Sequence, residues 1–205
     1  MDQQISDQLQ ACIVQIYTLG NPENTLGTGF WLTDQLIVTC YHILPIEIQA
    51  KQSGEIGYCQ AISGYGGIAS LEFHERSKEL DIAILRVCTL QQNRITPILP
   101  ISPNIIYGNP FRSFGFRKIG YFKGLDTKGE IRTVTLAKKK DGVWAEVIQL
   151  STSEIDNGMS GAPIYDLVQE KIVGIVSSHW QTSKTVDGFL AFGIPISKIR
   201  EIMPN

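Results

Sequence analysis

The sequence predicts an all-β protein built from two antiparallel β units of similar size. Short apolar or alternating runs recur along most of the chain and are separated by Gly, Pro, Asn and Asp residues. About six such runs lie on each side of a proline-rich stretch, residues 97–110, which predicts a connection between two units. Each unit is expected to close as a small barrel or a sandwich.

The individual elements follow from local patterns. Residues 2–10 are polar and form either a short helix or a frayed arm. Strands of the first unit are predicted at residues 12–18, 29–32, 36–39, 55–62, 70–74 and 82–87. Strands of the second unit are predicted at residues 111–115, 120–125, 131–136, 143–150, 162–165, 172–177 and 189–195. Residues 126–129 and 140–142 are predicted turns, and Ser197 caps a short C-terminal helix. The units therefore span residues 1–100 and 101–205.

Composition and charge exclude several classes of protein. The 205 residues are 43% hydrophobic and 19% charged, which is typical of a soluble globular protein. A net charge of −2 provides no field that would recruit nucleic acid or an anionic membrane, and the lysines at 138–140 are interpreted as a solvated turn. No apolar run is long enough to span a membrane, and the N-terminus lacks the pattern of a signal peptide.

The cysteines indicate a reducing compartment. Cys12, Cys40, Cys59 and Cys88 form no C-x-x-C pair, which argues against a structural zinc site. Three of the four lie within apolar runs, where a reduced cysteine packs as a small hydrophobic residue. We therefore expect a cytoplasmic protein without disulfides.

The chain is organised around a serine between glycines. In Gly158-Met159-Ser160-Gly161, the glycine before the serine permits a backbone conformation that a Cβ would obstruct. A hydroxyl beside amide N–H groups offers a nucleophile next to a place for an oxyanion, as acyl transfer requires. The alternative interpretation is an ordinary tight turn.

Two further residues supply the rest of a nucleophilic site. His42 lies near the end of the apolar run 36–44. Asp81 lies at the start of the strongly apolar strand predicted at residues 82–87. Taken singly, His42 is a histidine satisfied at a strand end and Asp81 a turn residue. With Ser160 they provide a base, an orienting carboxylate and a nucleophile.

These residues resemble one family in their order and local sequence. Gly-Thr-Gly-Phe-Trp at 27–31 followed by Val-Thr-Cys-Tyr-His at 38–42 resembles the histidine block of trypsin-like (chymotrypsin-fold) serine proteases. Residues 81–85 are similar to the aspartate strand of that family, and residues 158–163 to its serine loop. Residues 174–178 and 191–195 resemble the strands that line its specificity pocket. The resemblance spans residues 11–203 and implies two six-stranded β-barrels with the site between them.

The resemblance implies a serine endopeptidase with a Ser160–His42–Asp81 triad and no metal or organic cofactor. It implies an oxyanion hole formed by the backbone N–H groups of Gly158 and Ser160. It further implies substrate contacts, at residues Glu154, Ile155, Ser177, Ser178, His179 and Gly193. Glu154 at the base of the pocket would favour Lys or Arg before the scissile bond; the alternative is a solvated loop glutamate.

One departure from the family pattern concerns activation. Secreted members often have an aspartate immediately before the serine, where this chain has Met159. The site is therefore either preformed or ordered by a partner or a fused domain, or Met159 simply fills core space. In its compact size and its expected lack of disulfides, the chain resembles the bacterial branch of the family. Members of that branch often occur as domains of larger signalling or defence proteins.

Two alternatives to a protease are considered. The first is a catalytically silent β-barrel module that binds a peptide or a partner protein in the same cleft; retention of all three triad residues argues against it. The second is an α/β-hydrolase, prompted by residues 158–162. That fold requires the order Ser, acid, His, which this chain does not have.

Overall fold

A computed structural model describes most of the chain. The described residues are 2–51, 53–60, 66–71, 76–87, 98–116, 124–138, 142–152, 155, 158–177, 184–185 and 188–203. Within these residues the helices are few: α1 (Asp2–Cys12), α2 (Ile46–Lys51) and two 3₁₀ helices, η1 (Tyr41–Ile43) and η2 (Ile196–Glu201). None of the helices in these ranges has the length and apolar character needed to cross a membrane.

The first sheet closes into an antiparallel barrel. Its strands are β1 (Ile13–Thr18), β2 (Asn21–Trp31), β3 (Leu36–Cys40), β4 (Gly54–Gln60), β5 (Gly66–Leu71), β6 (Arg76–Ser77) and β7 (Ile82–Val87). They are ordered β3-β2-β1-β4-β5-β7-β6, and β3 also pairs with β7. This additional pairing closes six strands, while the short β6 is attached to β7 outside the ring.

The second sheet repeats this arrangement. Its strands are β8 (Pro110–Gly115), β9 (Leu125–Lys138), β10 (Trp144–Ser151), β11 (Pro163–Asp166), β12 (Lys171–Ser177), β13 (Lys184–Thr185) and β14 (Gly188–Pro195). The order is β10-β9-β8-β11-β12-β14-β13, and β10 pairs with β14 to close six strands. The predicted all-β class with two six-stranded antiparallel barrels is confirmed, and the fold is chymotrypsin-like. The boundary at residues 100 and 101 stays a prediction.

The hydrophobic core crosses from one barrel to the other. A single cluster joins buried residues of the first barrel, such as Trp31 and Ile84, to Ile175 and Ile194 of the second and to Ile199 of η2. Burial of each such side chain contributes about 1.5–3 kcal/mol. The barrels therefore meet over an apolar interface, and groups from both sides of that interface can form one rigid site.

Three local predictions were wrong. Residues 126–129 do not turn but lie within β9, where Asp126 pairs with Arg112 of β8. Gly129 marks a close approach rather than a turn, because a Cβ there would collide with the Ser151 carbonyl oxygen and the Phe111 ring. Cys12 ends α1 instead of starting a strand. Ser197 lies inside η2, whose N-cap residue is Pro195 and has no side-chain cap.

Candidate active site

His42 lies on η1, immediately after β3. The 3₁₀ turn follows a fully buried strand, and within it Tyr41 and Ile43 are buried while His42 is partly exposed. The Tyr41 N–H donates to the Asp81 carbonyl oxygen over 3.1 Å, and the His42 N–H donates to Asp81 Oδ1 over 2.9 Å. Asp81 thus holds the backbone of η1 through two hydrogen bonds that do not involve the imidazole ring.

Asp81 precedes β7 in a left-handed conformation. Its φ is 58°, a region that aspartate tolerates better than most residues. This conformation directs both the carbonyl and the carboxylate of Asp81 at η1. Because β7 pairs with β3 in register Cys40↔Ile82, the residues just beyond that pair, His42 and Asp81, are brought together.

Ser160, His42 and Asp81 form a continuous chain of hydrogen bonds. His42 Nδ1 lies 2.8 Å from Asp81 Oδ2 and 3.0 Å from Oδ1, and His42 Nε2 lies 3.1 Å from Ser160 Oγ. A carboxylate beside Nδ1 places the imidazole proton there, which leaves Nε2 as the acceptor for the Ser160 hydroxyl. Such an arrangement can remove a proton from a nucleophilic hydroxyl.

The Asp81 carboxylate is buried, and protein groups donate several hydrogen bonds to it. Burial by itself would raise the pKa of Asp81, but hydrogen bonds from the His42 ring, the His42 N–H and the Ser177 hydroxyl hold that pKa below its usual value. The Ser177 Oγ donates to Asp81 Oδ2 over 2.7 Å. Asp81 therefore remains an anion at neutral pH despite being 2% exposed.

The serine loop is held by the opposite barrel through Thr28 of β2. The Thr28 Oγ1 donates to the Gly158 carbonyl oxygen over 3.0 Å, and the Thr28 N–H donates to the Ser160 carbonyl oxygen over 2.9 Å. The Met159 carbonyl accepts from the Ala162 N–H over 2.9 Å. Three successive peptide planes are thereby fixed, including the one that contains the Ser160 N–H.

Both glycines of the loop have a positive φ, +100° at Gly158 and +93° at Gly161. A Cβ at Gly161 would also collide with the Thr28 carbonyl oxygen. The structure therefore gives a physical reason for the Gly-x-Ser-Gly pattern seen in the sequence.

Met159 is fully buried in the core of the second barrel, and its Sδ accepts a bond from Thr127 Oγ1 over 3.4 Å. This position supports the core-filling interpretation of Met159. Ile155 is half-buried and packs against the same cluster. At Gly193, a Cβ would collide with Ile164, so packing alone requires a glycine. Substrate contacts of Ile155 and Gly193 stay predictions.

The remaining predicted contacts are at residues 177–179 and 154. Ser177 is buried, pairs with Phe192 across β12 and β14, and directs its hydroxyl at Asp81. Glu154, Ser178 and His179 lie outside the described residues. Their roles stay predictions.

Sequence reasoning missed Thr28, the Ser177 hydroxyl and the Cys40 thiol. Cys40 ends β3, and its Sγ donates to the Val176 carbonyl oxygen over 3.3 Å. Its thiol, a His42 ring nitrogen and an Asp81 carboxylate oxygen all lie within 4.8 Å of one another. The sequence signal that could have indicated Thr28 is its position as a polar residue between two glycines, at residues 27–29.

The sequence of this chain matches a known protein family. Residues 27–175 match the trypsin-like peptidase domain, and this range contains His42, Asp81 and Ser160. The chain belongs to the trypsin-like peptidase family. Among curated proteins, no relative matches this trypsin-like peptidase domain.

Solved structures show the same fold at low sequence identity. The active form of the Rv3671c protease from M. tuberculosis superimposes with a TM-score of 0.74 at 18% identity, covering 98% of this chain and 83% of that one. The HtrA-type protease AlgW with a decapeptide gives 0.74 at 16% identity, covering 98% and 66%. The serine endoprotease from Yersinia pestis gives 0.68 at 20% identity, covering 99% and 65%.

Proposed function

We propose that this trypsin-like peptidase domain is an active serine endopeptidase, with Ser160 as nucleophile, His42 as general base and acid, and Asp81 as the orienting carboxylate. The observation that supports it most directly is the unbroken chain Ser160 Oγ–His42 Nε2 and His42 Nδ1–Asp81, with contacts of 3.1 and 2.8 Å. Contacts of this length are those expected of a nucleophile and base that are ready to react.

The reaction begins when Ser160 Oγ attacks the carbonyl carbon of a peptide bond. His42 Nε2 takes the hydroxyl proton, and the resulting imidazolium is stabilised by the Asp81 anion. His42 then donates the proton to the leaving amine, which leaves an acyl group on Ser160. A water molecule, deprotonated by His42, hydrolyses the acyl-enzyme in the second half of the reaction.

The oxyanion of each tetrahedral intermediate is assigned to the N–H groups of Gly158 and Ser160. Removing one such donor elsewhere costs about 10²–10³ in kcat. The fixed peptide plane between Met159 and Ser160 supports this assignment for the Ser160 N–H, because a donor that is already oriented does not have to reorganise during the reaction.

The substrate is proposed to be an extended peptide that pairs with residues 177–179, in the manner of an added β-strand. Glu154 is assigned to the base of the pocket for the side chain before the scissile bond. A bacterial origin and membership of a larger signalling or defence protein are proposed from the family resemblance alone.

The test is labelling of the purified domain with a fluorophosphonate probe, which reacts only with an activated serine. Wild-type protein should be labelled, and Ser160→Ala and His42→Ala should not be. Absence of labelling in a folded wild-type domain would overturn the proposal of a preformed site. The alternative that such a result supports is the silent module, which binds a peptide in the cleft without cleaving it.

A further inference from the structure

Cys40 places a thiol close to the His42–Asp81 pair. His42 uses Nε2 for Ser160 and Nδ1 for Asp81, while the Cys40 thiol lies against the same carboxylate. Cys40 and Asp81 are buried, whereas the side chain of His42 is 21% exposed. The mechanism above gives this thiol no role.

The three groups are of the types that bind zinc. A thiolate, an imidazole nitrogen and a carboxylate oxygen are each common ligands of Zn²⁺, and sites with three protein ligands leave the fourth position to water. Their ligand atoms already lie within 4.8 Å of one another. Spacing along the chain did not reveal this set, because Asp81 precedes β7, which pairs with β3 only in the folded protein.

We propose that Cys40, His42 and Asp81 form an inhibitory binding site for a zinc-like divalent metal ion. The site rests on the proposed function only for its effect on catalysis; the binding itself depends on the three side chains alone. The ion would take the position of the proton that now lies between His42 Nδ1 and Asp81.

Binding requires the imidazole and the carboxylate to move slightly apart. Ligands of one tetrahedral zinc ion lie about 3.3 Å apart, given bonds of about 2.0 Å to nitrogen and oxygen. The Nδ1–Oδ2 separation of 2.8 Å must therefore widen by about 0.5 Å. The partly exposed imidazole is the group that can move outward and admit the ion.

Charges and protons balance in the bound state. Cys40 releases one proton to solvent, so the thiolate and the Asp81 carboxylate together neutralise the divalent ion. The Nδ1 lone pair of His42 binds the metal, and the imidazole proton moves from Nδ1 to Nε2. An Nε2 that carries a proton cannot accept one from Ser160, so the metal-bound enzyme cannot activate its nucleophile.

Direct binding is tested with Co²⁺ as a spectroscopic probe on the metal-free, reduced protein. Wild type should develop a thiolate-to-cobalt charge-transfer absorption. Cys40→Ala and Cys40→Ser should lack it, and both are checked by thermal melting to be folded. Cys59→Ser is the matched control, since Cys59 is a half-buried cysteine on β4 and should leave the absorption unchanged. An equal absorption in both Cys40 variants, or none in wild type at excess cobalt, would overturn the site.

Inhibition is tested by the rate of fluorophosphonate labelling in the presence of Zn²⁺. The zinc concentration that halves the rate should rise at least about tenfold in Cys40→Ser relative to wild type. Equal sensitivity of the two proteins would contradict the inhibitory role. Should wild type show no labelling even without metal, the proposed protease activity fails, and the cobalt titration alone then decides whether the site exists.

Discussion

Thr28 Oγ1 donates a hydrogen bond to the carbonyl oxygen of Gly158 over 3.0 Å, although 130 positions separate the two residues. The same hydroxyl accepts from the Phe116 N–H over 2.8 Å, so it links the first barrel to two segments of the second. Thr39 Oγ1 in turn donates to the Thr28 carbonyl oxygen over 2.6 Å. Thr28 therefore positions the serine loop through hydrogen bonds within the protein.

We expect Thr28→Val to lower kcat by about tenfold or more while leaving KM within about twofold. Valine keeps the shape but releases the Gly158 carbonyl, so the serine loop that carries the oxyanion donors loses one of its fixed points. Thr28→Ser retains the hydroxyl and should restore most of kcat.

Thr25→Val is the control for this effect, because Thr25 is a buried threonine on the same strand whose hydroxyl instead contacts Gln15. Steady-state kinetics of the four proteins with one peptide substrate provide the comparison. A serine variant as slow as the valine variant would show that the methyl packing, and not the hydrogen bond, is what the loop requires.

The buried carboxylate of Asp81 should make stability depend on pH in the acid range. Because the pKa of Asp81 is lower in the folded protein than in the unfolded chain, the folded state binds fewer protons below about pH 4. Ionised Asp81 thus stabilises the fold above that pH, and its contribution is lost as the pH falls through the folded pKa. Ser177→Ala removes one donor to the carboxylate, so less stability should be lost on acidification.

Urea unfolding at neutral pH and at about pH 3 measures this dependence for wild type, Ser177→Ala and Asp34→Asn. Asp34 is exposed, so its replacement controls for a general change in charge. The explanation fails if Ser177→Ala loses as much stability on acidification as wild type does.

Local sequence predicted the barrels and the three residues of the proposed triad, because His42 and Asp81 adjoin strands with a clear apolar pattern and Ser160 lies between glycines. Donors that depend on the packing of the two barrels were not predictable. Ser177 comes within 2.7 Å of Asp81 only because β12 packs against the first barrel, and nothing near Ser177 in the chain indicates that contact. Gly129 was mistaken for a turn residue since a glycine required by crowding and one required by a turn look identical in sequence.

Crowding at Gly161 gives a prediction for stability. Gly161→Ala should reduce the free energy of unfolding by more than about 3 kcal/mol, because a Cβ there meets the Thr28 carbonyl oxygen in addition to the strained backbone. Gly142 has a nearly equal φ of +91°, and a Cβ there would meet only Lys138 Cε at 3.8 Å, so Gly142→Ala should cost only about 1–2 kcal/mol. Denaturant unfolding of both variants tests the difference, and equal losses would mean that backbone strain alone explains the effect.

The pocket assignment predicts a preference of the enzyme for Lys or Arg before the scissile bond. A carboxylate at the base of a pocket pairs with an extended cationic side chain, and this pair is lost when Glu154 is replaced by glutamine. We expect Glu154→Gln to lower kcat/KM for a lysine or arginine substrate by about tenfold, the effect of losing about 1.4 kcal/mol, and to leave kcat/KM for leucine substrates unchanged.

Glu23→Gln is the control, because Glu23 is an exposed glutamate on β2, and it should alter kcat/KM for neither type of substrate. A peptide library profiled with the three proteins decides the matter: an unchanged profile for Glu154→Gln would assign Glu154 to a solvated loop, and cleavage specificity would then have to come from Ile155 or from residues 177–179.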